Sequence, residues 1–70
     1  MKPGELRRFS DSLMAFGVDH FEGSTFVVLE VSGRVGVEPT RVDILLDGRR
    51  ETDLGFHWVE QNSEALNEAG

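Results

Sequence analysis

The stretch that decides the expected architecture is DILLDGRRETDLGFHW, Asp43–Trp58. Apolar side chains alternate with polar ones on both sides of an Asp47-Gly48 pair, which is the spacing of a strand with one buried face. An Asp-Gly pair between two such runs is a strong signal for a β-hairpin turn. The pattern therefore predicts two paired strands, 41–47 and 50–59. The alternating apolar positions are Val42, Ile44, Leu46, Leu54, Phe56 and Trp58.

This hairpin has two candidate registers. A two-residue turn would pair Leu46 with Arg49 and set further apolar residues against charged ones, which is poor cross-strand packing. A loop that includes Arg49 pairs Leu46 with Arg50 instead, and it directs Glu51 and Asp53 to solvent. Because a one-residue slip moves every side chain to the other face, the pattern favours this second register, with a bulge near the turn. The same register pairs Ile44 with Thr52 and Val42 with Leu54.

The rest of the chain also indicates an all-β domain. Residues 25–31, TFVVLEV, are β-branched and apolar on both faces, as in a central strand. Residues 5–9 predict a short first strand, and residues 10–24 predict a long irregular loop after it. Ser63 is a candidate N-cap for a short C-terminal helical turn. The expected core is Leu6, Phe9, Phe26, Val28, Val31, Val42, Ile44, Leu46, Leu54 and Phe56.

Length and composition restrict the possibilities. Seventy residues form one small domain with a limited core, which we place at 1–62, followed by an acidic, frayed tail at 63–70. The chain has no cysteine, which excludes disulfides, thiolate metal sites and a catalytic cysteine. No apolar run approaches the roughly 18 residues of a membrane span, so we expect a cytoplasmic protein that does not bind membranes.

Charge argues against nucleic acid as the main partner. The net charge is -6, and an acidic domain repels a phosphate backbone. Nucleic-acid binding is the second functional hypothesis, because several arginines could still form one basic face with nearby aromatic rings. These are Arg7, Arg8, Arg34, Arg41, Arg49 and Arg50.

The sequence provides little support for catalysis. A metal site would need His20 and His57 to meet with nearby carboxylates, and neither short pattern has the spacing of a zinc site. The serines lie in turn or capping contexts, without the base and orienting group that a nucleophile needs. We therefore expect no enzyme activity, no metal and no other cofactor, with a histidine metal site or an enzyme as a remote alternative.

Four segments together carry a family resemblance. KPGELRRF, FVVLEV, VDILLDGR and HWVE are similar to segments of the small SH3-like barrel proteins encoded by tailed bacteriophages and their hosts. The resemblance implies an SH3-like barrel of about five antiparallel strands, of phage or prophage origin, located in the host cytoplasm or the virion. Arg7 departs from the family outline, which usually has an apolar residue there. Such barrels bind proteins, peptides or nucleic acids, so the fold alone assigns no ligand.

The aromatic residues suggest the leading functional hypothesis. Five phenylalanines and one tryptophan are more than so small a domain can easily bury, and exposed aromatic residues are enriched at interfaces. We therefore expect a non-enzymatic accessory or protein-interaction module, whose partner is another protein or a second copy of itself. The expected interaction surface is Phe16, Phe21, Arg49, Arg50, His57 and Trp58.

Overall fold

The computed structural model describes residues 1–13, 19–33 and 39–66. These residues form five antiparallel strands, a six-residue α-helix and a single 3-10 turn. The strands are β1 (Leu6–Phe9), β2 (Thr25–Ser32), β3 (Arg41–Leu46), β4 (Arg49–Gly55) and β5 (Ser63–Ala65). The helix α1 spans Phe56–Gln61 and joins β4 to β5, and the 3-10 turn spans Asp19–Phe21 between β1 and β2.

All five strands belong to one sheet, in the order β4-β3-β2-β1-β5. The first four strands form a meander, and the chain then returns through α1 so that β5 pairs with β1. The sheet is barrel-like but not closed, because β4 and β5 are its two edges. The prediction of a small all-β fold with about five antiparallel strands is confirmed.

The core lies on the inner face of the sheet and is centred on Phe9. The Phe9 ring is fully buried, with its centroid 4.5 Å from that of Phe26 and 5.1 Å from that of Phe21. Aromatic pairs at these separations stabilise a core beyond the area that they bury. The buried apolar residues are Phe9, Leu13, Phe21, Phe26, Val28, Val42, Ile44, Leu46, Phe56 and Val59.

Three residues of the expected core are not buried: Leu6, Val31 and Leu54. Leu6 is half-buried on the outer face, because the alternation of β1 directs Arg7 and Phe9 inward. Val31 and Leu54 are partly buried and pack against the edge of the core. The core residues that the sequence does not predict come from loop and helix segments, where no two-residue alternation marks them. They are Leu13, Phe21 and Val59.

The predicted hairpin register is wrong near the turn. Asp47 and Gly48 both have positive φ, 57° and 78°, as a two-residue type I′ turn requires. Leu46 therefore pairs with Arg49, not with Arg50. The twist of this turn matches that of the strands, and it prevails over the unfavourable pairing of apolar and charged side chains.

The extra residue in β4 lies at a bulge farther from the turn. Asp53 adopts the left-handed conformation with φ 60°, and its N–H donates a 2.9 Å hydrogen bond to the Asp43 carboxylate. This bulge restores the predicted pairing at the far end of the hairpin, so the predicted register is correct at that end. The pairs on either side are Ile44–Glu51 and Val42–Leu54.

The C-terminal part of the chain also differs from the prediction. Residues 56–61 are helical instead of extended, which places Phe56 and Val59 one helical turn apart on the same buried face. The helical turn predicted at Ser63 is wrong, since Ser63–Ala65 forms β5. The sheet therefore extends past residue 62 into the segment expected to be a tail, and residues 67–70 of that segment lie outside the described residues.

Arg7 joins the first and last parts of the described chain. Its side chain is buried, and it donates from Nε to the Ser63 hydroxyl at 2.8 Å and from Nη2 to the carbonyl oxygens of Ser63 and Glu60 at 2.9 and 3.3 Å. Nη1 donates to Glu5 at 2.5 Å. The Glu60 carbonyl lies in the last turn of α1, where helix carbonyls lack intrahelical partners. Arg7 thus connects β1, α1 and β5 through the hydrogen bonds of its buried side chain.

The pKa of Glu5 is lowered by its interaction with Arg7. Burial acts to raise the pKa of the Glu5 carboxyl, but the hydrogen bond from Arg7 and the nearby positive charges outweigh that effect. The net result is a pKa below the ordinary glutamate value. The folded state therefore holds this carboxylate in its charged form.

Candidate functional site

A cleft of about 330 Å³ opens between the 3-10 turn and the β3–β4 hairpin. We call it the hairpin cleft. Its lining combines one residue of the core with four polar or charged side chains, and both acidic and basic groups face the same space. The lining residues are His20, Leu46, Asp47, Arg49 and Glu51.

The type I′ turn explains why charged side chains line this cleft. Directly paired residues in neighbouring strands project from the same face of a sheet. Arg49 pairs with Leu46, and Glu51 pairs with Ile44, so both charged residues lie on the inner face. Because β4 is an edge strand, these side chains reach the rim of the core and not its centre.

The charges inside the cleft are unequally partnered. His20 Nε2 lies 3.9 Å from Glu51 Oε2, and the His20 ring packs edge-on against Phe21 with centroids 4.3 Å apart. Arg49 is exposed and forms no ion pair with any described residue. The cleft therefore holds a guanidinium whose donors are available to a ligand.

Arg49 differs in this respect from the other described arginines. Each of those pairs with a carboxylate of the same chain, whether at the surface or in the interior, so their donors are already engaged. Arg34 lies outside the described residues. The pairs are Arg7–Glu5 at 2.5 Å, Arg8–Asp11 at 2.7 Å, Arg41–Asp53 at 3.4 Å, and Arg50 with Asp43 at 3.1 Å and Glu30 at 3.7 Å.

Asp43 organises the outer face next to the bulge. Its pKa is lowered below the ordinary aspartate value, first by the hydrogen bond from the Asp53 backbone N–H and then by the hydrogen bond and charge of Arg50. Arg50 is therefore part of a surface network that holds the bulge in place. It lies on the opposite face of β4 from Arg49, since the two are consecutive in a strand.

The described residues of the expected interaction surface are distributed over the 3-10 turn, β4 and α1. The predicted exposure of Phe21 is wrong, because its ring is 3% exposed and stacks on Phe9. Trp58 is half-buried, with its ring centroid 5.8 Å from that of Phe9. His57 is exposed on α1, and Phe16 lies outside the described residues. Of the members of the expected set that the structure describes, Arg49 alone lines the hairpin cleft.

The sequence patterns do not predict that the cleft residues other than Arg49 belong to a functional site. His20 stands out in the sequence only as a metal-ligand candidate, and the wrong register assigns Glu51 to the solvent face. The available signal is the two-residue register, which places Glu51 and Arg49 on the face of Leu46. From the sequence, that register appears unfavourable because it sets charged residues opposite apolar ones. An edge strand tolerates such pairs, but the local pattern does not show that β4 is at the sheet edge.

The outer face of the sheet carries a second feature, which we call the outer stripe. Three neighbouring strands and the residue that follows β5 bring four apolar residues into register: Leu66, Leu6, Val27 and Leu45. Leu6 pairs with Val27 and Val27 with Leu45, while the Leu66 N–H donates to the Leu6 carbonyl at 2.9 Å. Leu66 is 43% exposed and Leu45 is 40% exposed. The outer stripe is thus an apolar row whose two end residues, Leu66 and Leu45, are exposed, while Leu6 and Val27 between them are half-buried.

Metal sites and membrane spans are both absent from the described ranges. No group of three or more histidine, aspartate or glutamate side chains in these ranges is placed to hold a metal ion. The helical segments within the same ranges are too short to cross a membrane.

Comparisons with protein-family models, with curated proteins and with solved structures find no match to this chain.

Proposed function

We propose that this protein is a small non-enzymatic interaction module that binds a short segment of another protein in the hairpin cleft. The observation that carries the proposal is the unpaired Arg49 beside Leu46 at the rim of the core. Arginine is enriched at interfaces and is a frequent binding hot spot. The cleft thus offers a partner one ion-pair donor next to a core residue, Leu46, that is itself only 3% exposed.

The pairing of the other arginines supports a protein ligand over nucleic acid. Four of the described arginines are neutralised by carboxylates of the same chain, and the net charge is -6. A nucleic-acid groove instead needs several free cations along one path. An oligonucleotide that binds at low salt and is released as salt rises would favour the nucleic-acid alternative.

The cleft chemistry also favours binding over catalysis. His20 and Glu51 are close enough to interact, but the described residues that line the cleft include no serine, threonine or cysteine. A hydrolytic site of the nucleophilic kind needs such a group within hydrogen-bond reach of its base. In the proposed function, His20 and Glu51 therefore line the binding site and take no part in a reaction.

Selection from a displayed library of random peptides tests the proposal. Peptides that bind the wild-type protein are retested against Arg49→Gln and against Arg8→Gln, which changes a half-exposed arginine on the outer face. We expect Arg49→Gln to lose binding and Arg8→Gln to keep it, with amide NMR shifts on the wild type confined to the cleft residues. A library that yields no binder, or binders indifferent to Arg49→Gln, contradicts the proposed function.

A second candidate function is self-association through the outer stripe, favoured by the exposure of Leu45 and Leu66 in one apolar row. Because each copy carries a charge of -6, added salt should screen the repulsion between copies and strengthen association. Sedimentation at rising concentration and salt measures this directly. A strict monomer under all conditions, or association unchanged by Leu45→Ser, removes the candidate.

The resemblance to phage-encoded SH3-like proteins supports a phage or prophage origin within the same proposal. On that basis the module works in the host cytoplasm or in the virion. The genes beside its own provide the test, since neighbouring capsid, tail or phage replication genes are expected. A neighbourhood of ordinary cellular genes counts against this origin and leaves the cleft proposal untouched.

A further inference from the structure

We infer that the hairpin cleft recognises a carboxylate on a peptide segment, next to an apolar side chain that contacts Leu46. This inference rests on the proposed function and names the chemistry of its ligand. Of the charged groups that line the cleft, Glu51 already faces His20 at 3.9 Å. Arg49 has no carboxylate partner among the described residues. Asp47 has no cationic partner among them either, but it is an exposed residue of the turn. Arg49 is therefore the cleft cation with which a ligand carboxylate can pair.

The shape of the guanidinium makes a carboxylate the fitting anion. Arginine presents a planar fork of donors that matches a carboxylate in bidentate geometry. Phosphate can use the same fork, but a dianion would also face the negative charges of Asp47 and Glu51 in the same cleft. Repulsion at short range disfavours the larger negative charge, so the cleft chemistry selects a carboxylate over a phosphate.

The residues around Arg49 indicate that the ligand carries an apolar group next to its carboxylate. Leu46, its direct cross-strand neighbour, belongs to the core and is 3% exposed. The cleft is also lined by His20, whose ring packs edge-on against the buried ring of Phe21 with centroids 4.3 Å apart. An apolar side chain next to the carboxylate would therefore extend the core outward between Leu46 and His20, and remove its own surface from water.

NMR titration with short capped peptides tests the ligand chemistry. The probes are acetyl-Leu-Leu-Glu-amide and its glutamine counterpart, acetyl-Leu-Leu with a free carboxylate and its amide, and acetyl-Leu-Leu-phosphoserine-amide. We expect either carboxylate to bind on the order of tenfold more tightly than its neutral counterpart, since a neutral peptide cannot form the charge-assisted bidentate pair. The two carboxylate peptides distinguish an acidic side chain from a chain terminus as the natural source.

Variants connect the effect to Arg49. Arg49→Gln should abolish the preference for the carboxylate, Arg49→Lys should keep only part of it because the planar fork is missing, and Arg8→Gln should leave it unchanged. Equal binding of the charged and neutral peptides, or tighter binding of the phosphopeptide, overturns the inference. If random peptides without a carboxylate bind in an Arg49-dependent manner, the proposed function survives and the carboxylate inference fails.

Discussion

Arg7 and Arg49 are both arginines on the inner face of the same sheet, but Arg7 is buried and Arg49 is exposed. Arg7 lies on β1, between β2 and β5, and four hydrogen bonds hold its guanidinium. Arg49 lies on the edge strand β4 and has no ion pair within the part of the chain that the structure describes. Neighbouring elements, and not the residue itself, therefore decide whether an arginine is buried in the fold or stays unpaired and exposed among the described residues.

The largest expected effect is at Arg7. Removing one partner of a buried ion pair costs about 3–5 kcal/mol, because the remaining groups lose their hydrogen bonds. Arg7→Met leaves the Glu5 carboxylate and the carbonyls of Glu60 and Ser63 without their donor. Because a chain of this size is only marginally stable, we expect this variant to be largely unfolded or to have a much lower urea midpoint.

The matched control is Arg49→Met, which removes an exposed side chain that forms no ion pair with a described residue. Surface changes of that kind usually alter the free energy of unfolding by less than about 0.5 kcal/mol. Urea unfolding followed by circular dichroism measures both variants in the same way. Similar midpoints for the two variants would contradict the proposed difference between the two arginines.

Acid should weaken the Arg7 end through Glu5. Its pKa is lowered in the folded protein, so its contribution to stability is fully present above the unfolded-state value of about 4.3. That contribution is lost as the pH falls below this value and through the lower folded-state pKa. Glu5→Gln should be less stable than wild type at neutral pH and should lose less stability on acidification, as measured by urea unfolding at several pH values. Parallel pH profiles for the two proteins would rule this out.

A smaller effect is expected at the hairpin end, from Gly48. Its φ of 78° is in the left-handed region, where a side chain costs roughly 1–2 kcal/mol. A Cβ built there meets no atom within 4 Å, so Gly48→Ala measures the backbone cost without a steric clash. Gly55→Ala is the control, since Gly55 has an ordinary φ of -67°. Equal stability of the two variants would show that the type I′ turn is not maintained in solution.

The smallest expected effect is at Arg50, which lies next to Arg49 but is paired. Its ion pairs with Asp43 and Glu30 are at the surface, where the guanidinium is half exposed. Exposed pairs contribute little and are screened by salt. Arg50→Gln should lower the urea midpoint slightly in low salt and hardly at all in high salt, whereas Arg49→Gln should show no salt-dependent change. A large loss of stability for Arg50→Gln in high salt would mean that burial is not what separates Arg7 from the surface arginines.

The local patterns predict much of the fold and little of the site. The alternation around Val42, Ile44 and Leu46, together with the Asp47-Gly48 turn signal, predicts the central hairpin. These patterns do not predict the register at the turn. The rules for cross-strand packing expect both strands to have one face buried in the core, whereas β4 lies at the sheet edge. Arg49 is among the expected surface residues, but its grouping with Phe21 is wrong, since a loop carries no periodicity that reports burial.

The sequence by itself determined the antiparallel strands, the turn at Asp47-Gly48 and most of the inner row of the core, because these depend on spacing along the chain. Tertiary structure decided how distant segments pack. Because β5 lies beside β1, Arg7 is buried. Because β4 lies at the sheet edge, Arg49 lies at the rim of the core. The physical reason is that local spacing fixes which face a side chain takes. Only the packing of remote elements fixes whether that face is covered, paired or left exposed.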